Sequence, residues 1–161
     1  MPILLYRLDE RLIHGQVFLG WANFLKAEKL VIINDRVSAT PQEKELYLAH
    51  LPSPLKADVF SIKEGFKNIL AGKFEKEKTI IVMETPQDVL KLAQEGAKIK
   101  EVNLGGMHFK EGRKQILPYV YINQEEMEVF DKLFKLGIEV FCQELPGSEK
   151  KDLKMLLSKL S

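Results

Sequence analysis

Seven short apolar runs punctuate the chain, at Ile3 to Leu8, Lys29 to Ile33, Asp58 to Ile62, Thr79 to Met83, Lys100 to Leu104, Tyr119 to Ile122 and Ile138 to Cys142. Between them apolar residues recur at helical spacing, over Gln16 to Lys26, Pro41 to Leu51, Lys63 to Ala71, Pro86 to Glu95, Asn123 to Leu136 and Ser148 to Leu160. Runs of the first kind fit buried strands, and segments of the second kind fit helices with one apolar face. Their alternation predicts an α/β fold, a mostly parallel open sheet with helices on both faces. Thr40-Pro41 and Thr85-Pro86 set a capping hydroxyl before a proline at the first helical position, while Gly96 and Gly137 stand where helices should stop. The stretch from Gly105 to Pro118 has no helical period, and its glycines predict a long loop between the fifth and sixth strands. No repeat or linker interrupts the pattern, so a single domain over residues 1–161 is expected.

Composition narrows the function by exclusion. The chain has 24 basic and 23 acidic residues and a net charge of +1, which gives no electrostatic case for nucleic acid or an anionic membrane surface. No window approaches the roughly 20 apolar residues of a membrane span, and the apolar start is too short for a secretion signal, so a cytoplasmic protein is expected. Cys142 is the one cysteine and is read as a core residue. HExxH, P-loop and GxGxxG motifs are all missing, so no metal and no cofactor is expected.

In an open α/β sheet ligands bind beyond the carboxyl ends of the strands. Arg7, Asp9, Glu10, Arg11 and His14 fall there after the first run, Asn34, Asp35 and Arg36 after the second, and Asn103, Gly105, Gly106, His108 and Arg113 after the fifth. All four arginines lie in these segments of an otherwise lysine-rich chain. Arginine adds a rigid fork that suits phosphate or carboxylate, so the bias points to an anion site; equally, the arginines could pair with Asp9, Glu10, Asp35 and Glu111 to tie loops down. The segment DERLIHGQV places His14 and Gly15 where a loop enters a helix, and unpaired amides there favour an anion. An unprotonated imidazole is a nucleophile at neutral pH, and the N–P bond it forms stays reactive. His14 is therefore the candidate phosphoryl acceptor, with Arg11 and the helix end neutralising oxygen charge. Asp35 and His108 are candidates for lining the same crevice, and His50 is read as structural.

The stretch RLDERLIHGQVFLGW, from Arg7 to Trp21, resembles the signature of the enzyme IIB component of the bacterial sugar phosphotransferase system, in its mannose, fructose and sorbose class. NDRVSATPQEKEL, TPQDVLKLAQEGAKIKEVNLGGMHFKEGRKQI and VFCQELPGSEKKDL extend the likeness over essentially the whole chain. The resemblance implies a mostly parallel seven-stranded sheet. It also implies a pros-phosphohistidine intermediate on His14, formed from the phosphohistidine of a IIA component and spent on a sugar held by membrane IIC and IID components. Arg11 would help hold the phosphoryl group, with Asp9, Gly15 and Gln16 supporting the active loop. By this likeness the protein would sit at the inner face of the membrane through IIC and IID and meet the sugar only indirectly. Homo-oligomerisation stays open. Departures are Glu10, where Asp is common, and Leu117 and Tyr119 around Pro118, where smaller residues are usual. Two other readings use the same crevice: a regulatory phosphoprotein signalling through His14, and a soluble enzyme binding a sugar phosphate.

Overall fold

The computed structural model describes residues 3–160. In chain order the elements are β1 (Ile3–Asp9), α1 (π-helical over Gln16–Trp21, then α-helical over Ala22–Leu25), β2 (Lys29–Ile33), α2 (Asp35–Ala39), α3 (Pro41–Leu48), β3 (Lys56–Phe60), α4 (Ile62–Leu70), β4 (Thr79–Met83), α5 (Pro86–Glu95), β5 (Glu101–Gly106), β6 (Lys114–Leu117), β7 (Val120–Ile122), α6 (Gln124–Lys135), β8 (Glu139–Cys142), β9 (Lys151–Asp152) and α7 (Leu153–Ser158). A seven-stranded sheet in the order β3-β2-β4-β1-β5-β8-β9 forms the centre. Every pairing in it is parallel except that of β9 with β8.

The expected sheet of seven strands is present, with one exchange of members. The sixth run, Tyr119 to Ile122, does not enter the sheet: β7 pairs antiparallel with β6 in a separate two-stranded ribbon. The ribbon joins the end of β5, where the amide of Met107 donates to the Tyr119 carbonyl and that of Tyr121 to the Met107 carbonyl. The stretch read as a loop thus holds a strand. The seventh member is β9, two polar residues within the segment read as helix from Ser148. A further helix, α2, was absent from the periodic pattern because five residues fall below the window that reveals a period.

Strand side chains alternate between two apolar layers. Leu8, Val31, Ile33, Ile81, Met83, Val102, Leu104, Val140 and Cys142 face α4 to α7, whereas Leu5, Leu30, Ile32, Ile80, Val82 and Phe141 face α1 to α3. Each such buried aliphatic side chain contributes about 1.5 to 3 kcal/mol. Burial also pushes the Cys142 thiol up to about 12, so it stays neutral in the core.

Caps fix the helix entries that feed the site. Thr85 accepts from the Asp88 amide before Pro86, and Ser61–Glu64 and Asn123–Glu126 form capping boxes for α4 and α6. Thr40 departs from expectation: its hydroxyl donates to the Arg36 carbonyl at the end of α2 and leaves α3 uncapped by a side chain. Gly96 and Gly137 follow α5 and α6 with φ of 123° and 83°, the left-handed region a helix stop requires.

β1 leads by α1 toward β2, on one side of it, whereas its neighbour β5 leads by α6 toward β8 on the other. The carboxyl ends of β1 and β5 are therefore where the connections diverge, the place for a ligand crevice in such a sheet.

Candidate active site

The site begins with a mismatch between these two strands. Arg7 pairs with Asn103 and Leu8 with Leu104, but Asp9 pairs with Gly106, so Gly105 is an extra residue in the ladder. A Cβ on Gly105 would overlap the Arg7 guanidinium. Only glycine leaves room for that side chain, which lies fully buried beneath the bulge.

Arg7 Nη1 donates to Asn103 Oδ1 at 2.6 Å and to the Gln143 carbonyl at 3.3 Å, and the guanidinium sits 5.7 Å from the Trp21 ring centroid. Its Nη2 reaches Asp9 Oδ2 at 3.0 Å. A charge this deep is tolerable only when paired, and Asp9, equally buried, is its partner.

Asp9 collects the chemistry of the loop that follows. Oδ1 accepts from the Arg11 amide at 3.0 Å and Arg11 Nε at 3.2 Å, and Oδ2 from Arg11 Nη2 at 3.2 Å. His14 Nε2 stands 2.9 Å from the same Oδ2. Burial opposes ionisation of Asp9, but hydrogen bonds from His14 and Arg11 and the charge of Arg7 outweigh it and hold the carboxyl well below the usual carboxylate range. An ionised carboxylate only accepts, so His14 Nε2 carries the proton and donates it. Nδ1 is then the nitrogen left for other chemistry.

The loop is held in a strained shape. The Leu12 amide donates to the Asp9 carbonyl at 2.9 Å, and Leu12 has φ 57°, in the left-handed region, with its side chain fully buried in the layer beneath α1. A branched residue there costs about 1 to 2 kcal/mol and persists where burial fixes it. The turn delivers His14 to the start of α1, where its carbonyl accepts from Val17 and Phe18 at 2.9 and 3.1 Å. The first amides of the helix, at Gly15 and Gln16, have no carbonyl of the helix to bond. Gln16 Oε1 accepts from Arg11 Nη2 at 2.9 Å. The His14 side chain is 18% exposed and that of Arg11 35%, so both reach the surface from a buried anchor.

Asp9, Arg11, His14, Gly15 and Gln16 thus stand together. Asp35 does not join them: its carboxylate accepts from the Ile62 amide at 2.8 Å and pairs with Lys91, serving the start of α4. His108 lies near by its backbone, which donates to Glu10 and accepts from Arg113, with its side chain exposed. His50 is exposed past the end of α3. The arginines all have carboxylate partners, Asp9 for Arg7 and Arg11, Glu43 and Glu84 for Arg36, and Glu10 and Glu126 for Arg113. The tie-down reading therefore holds for Arg7, Arg36 and Arg113, with Glu84 and Glu126 in the places expected of Asp35 and Glu111. Arg7 and Arg11 both share Asp9 Oδ2 with His14, but of the two only Arg11 reaches the surface, and its Nη1 makes no hydrogen bond to the described residues. Among the described residues no three His, Cys, Asp or Glu side chains are grouped to hold a metal ion.

Asn103, Gly105 and Arg113, which the sequence sets beyond the fifth run, belong to the same assembly, but their partners Arg7, Glu10 and Glu126 were not readable there. The signal was available only for the arginines, through their scarcity. A glycine that makes room for a side chain 98 positions away leaves no local mark.

A model of the PTS system sorbose subfamily IIB component matches residues 3–161. The chain is 34% identical over 152 residues to the N-acetylgalactosamine-specific phosphotransferase enzyme IIB component 1 of Escherichia coli, covering 94% of this chain and 96% of the relative. It is 31% identical over 160 residues to the mannose-specific EIIAB component of Escherichia coli, covering 99% of this chain and 50% of that relative. Among solved structures, the IIBSor domain of the sorbose permease from Klebsiella pneumoniae superposes with a TM-score of 0.91 at 27% identity, over 100% of this chain and 99% of that one.

Proposed function

This chain belongs to the sorbose subfamily of PTS IIB components, phosphotransferase subunits of sugar transport, and from that premise we propose that it carries a phosphoryl group on His14, taken from the phosphohistidine of a IIA component and given to a sugar held by membrane IIC and IID components. The observation that carries the reading is the 2.9 Å bond between His14 Nε2 and Asp9 Oδ2. It commits one ring nitrogen and leaves the pros nitrogen, Nδ1, with its lone pair uncommitted.

In the accepting step the Nδ1 lone pair attacks phosphorus. The N–P bond of the donor histidine breaks, its electron pair returns to the donor ring, and His14 becomes an imidazolium whose Nε2–H still rests on Asp9. Asp9 is already ionised and needs no reorganisation to meet that charge. In the donating step a sugar hydroxyl attacks phosphorus, the Nδ1–P pair returns to the ring, and the hydroxyl proton leaves to water or to a base of the partner. A cationic ring is the better leaving group, so one carboxylate assists both halves.

Arg11 Nη1 and the first amides of α1 would receive the phosphoryl oxygens. The EIIAB name of the mannose-specific relative, half of which this chain matches, supports a IIA protein as donor. No helix among the described residues is long and apolar enough to cross a membrane; in the proposed reading the membrane IIC and IID components present the sugar and hold this chain at the inner membrane face.

Incubation with a phosphoenolpyruvate-driven cascade, followed by intact-mass measurement, tests this. One phosphoryl group should be added, labile in acid and stable in base, and assigned to Nδ1 by nitrogen–phosphorus coupling. His14→Ala should abolish it and His50→Ala should not. Phosphate on Ser, Thr or Asp, or on Nε2, would overturn the reading.

A further inference from the structure

We propose that Arg113 is a positioning residue for phosphoryl transfer, acting on His14 through Glu10. The proposal rests on the phosphocarrier reading and adds a residue from a distant segment to its machinery.

The strained turn from Asp9 to Leu12 needs anchors on both sides. Asp9 supplies one by its bonds to Arg7 and Arg11. Glu10 supplies the other. Its Oε1 accepts from the His108 amide at 2.6 Å and its Oε2 from Arg113 Nη2 at 2.8 Å. Arg113 is itself fixed: Nε and Nη2 fork onto Glu126 at 3.0 and 2.6 Å, and Nη1 donates to the His108 carbonyl at 2.7 Å. Glu126 is part of the capping box that starts α6. The three side chains are nearly buried, with 5% exposure for Arg113, 8% for Glu126 and 11% for Glu10.

A rigid helix start is thereby connected, through one guanidinium, to the residue next to Asp9. Four donor contacts from a planar fork fix direction as well as charge, which a lysine cannot do. Asp9 can hold His14 Nε2 at hydrogen-bond distance only while the turn keeps its shape. Releasing Glu10 removes one of the side-chain ties of the turn, leaving the Glu10 amide's bond to the Gly106 carbonyl and the burial of Leu12, and the His14 ring should then sample other orientations and the other tautomer. A tie that served stability alone would lower the melting temperature and leave the ring unchanged.

The test compares Arg113→Lys and Glu10→Gln with the wild type, and Arg36→Lys controls for loss of an exposed fork elsewhere. In the unphosphorylated proteins, nitrogen-15 spectra of His14 should report the Nε2–H tautomer in the wild type and Arg36→Lys, and a mixture in the other two. With a phosphorylated IIA protein as donor, the transfer rate at saturating donor should fall about tenfold in both, with little change in KM, since a misplacement of about 1 Å can cost up to a hundredfold. A wild type that takes no phosphoryl group refutes the phosphocarrier reading, and the spectra still decide whether Arg113 positions His14. If Arg113→Lys fails to fold, Glu10→Gln decides. A folded variant with the wild-type tautomer and rate overturns the proposal and leaves Arg113 to stability.

Discussion

The guanidinium of Arg7 occupies the space that a side chain on Gly105 would need, so these two residues exclude any larger partner for each other. The bulge at Gly105 and the buried charge at Arg7 are one feature seen from two strands. It carries Asp9, and through Asp9 the ring of His14.

Gly105→Ala should therefore act on the site without touching it. The new methyl must displace Arg7 from Asn103 and Asp9. Overpacking costs about 1 to 3 kcal/mol and a lost charge-assisted hydrogen bond about 1.5 to 3, so a stability loss of about 2.5 to 6 kcal/mol is expected. Arg7→Lys, whose thinner chain clears the methyl, should be less harmful in the Gly105→Ala background than in the wild type. Denaturant unfolding of the single and double variants measures both effects. A loss below about 0.5 kcal/mol in Gly105→Ala, or strict additivity, refutes the steric linkage.

Acid should expose the role of Asp9. Its folded-state pKa is depressed below the unfolded value of about 3.9, so its stabilising contribution is fully present above that value and is lost as pH falls through the folded-state value. Asp9→Asn has no such titration. At pH 7 the substitution should cost about 3 to 5 kcal/mol, because Arg7 is left buried without a counter-charge. The difference between the two proteins should stay level from pH 7 to about pH 5 and shrink below about pH 4. Urea midpoints across this range decide it, and a constant difference down to pH 3 would show that Asp9 is not held ionised by folding.

How much of this was legible depends on where the information lies along the chain. Parallel strands buried on both faces read as unbroken apolar runs, and Leu30–Ile33 and Ile80–Met83 were plain for that reason. Lys151 and Asp152 pair with Cys142 and Phe141 through the backbone, a bond indifferent to side chains, and so left no pattern. The polar Lys114 and Gln115 of β6 are exposed and hid a strand within an expected loop. His14, Asp9, Arg11 and Gln16 lie within one short segment whose order dictates their meeting. Asn103, Gly105 and Arg113 take their meaning from Arg7 and Glu10, and only the parallel pairing of β1 with β5 brings them there. The position of Asp35 at a strand end says nothing of the Ile62 amide from which its carboxylate accepts.

Arg11 offers the sharpest division between holding the loop and holding the phosphoryl group. Its Nε and Nη2 are spent on Asp9, with Nη2 also on Gln16, so part of its task is structural before any phosphate arrives. Arg11→Lys keeps the charge but can contact either Asp9 or a phosphoryl oxygen, since it lacks the second edge of the fork. A charge-assisted hydrogen bond of about 1.5 to 3 kcal/mol that strengthens in the transition state corresponds to about a ten- to hundredfold loss in transfer rate. Arg11→Ala should lose more rate, and some stability too, as Asp9 gives up its two contacts from the Arg11 side chain and keeps that from the Arg11 amide. Gln16→Ala separates the two tasks: it frees Nη2 from one acceptor but leaves the fork on Asp9, so transfer should stay within about threefold of the wild type if Nη1 holds the phosphate. The measurements are transfer rates from a phosphorylated IIA protein beside the melting temperature of each variant. Should the rates of Arg11→Lys and Arg11→Ala merely track their melting temperatures, Arg11 belongs to the loop alone and the amides of Gly15 and Gln16 must receive the phosphoryl oxygens.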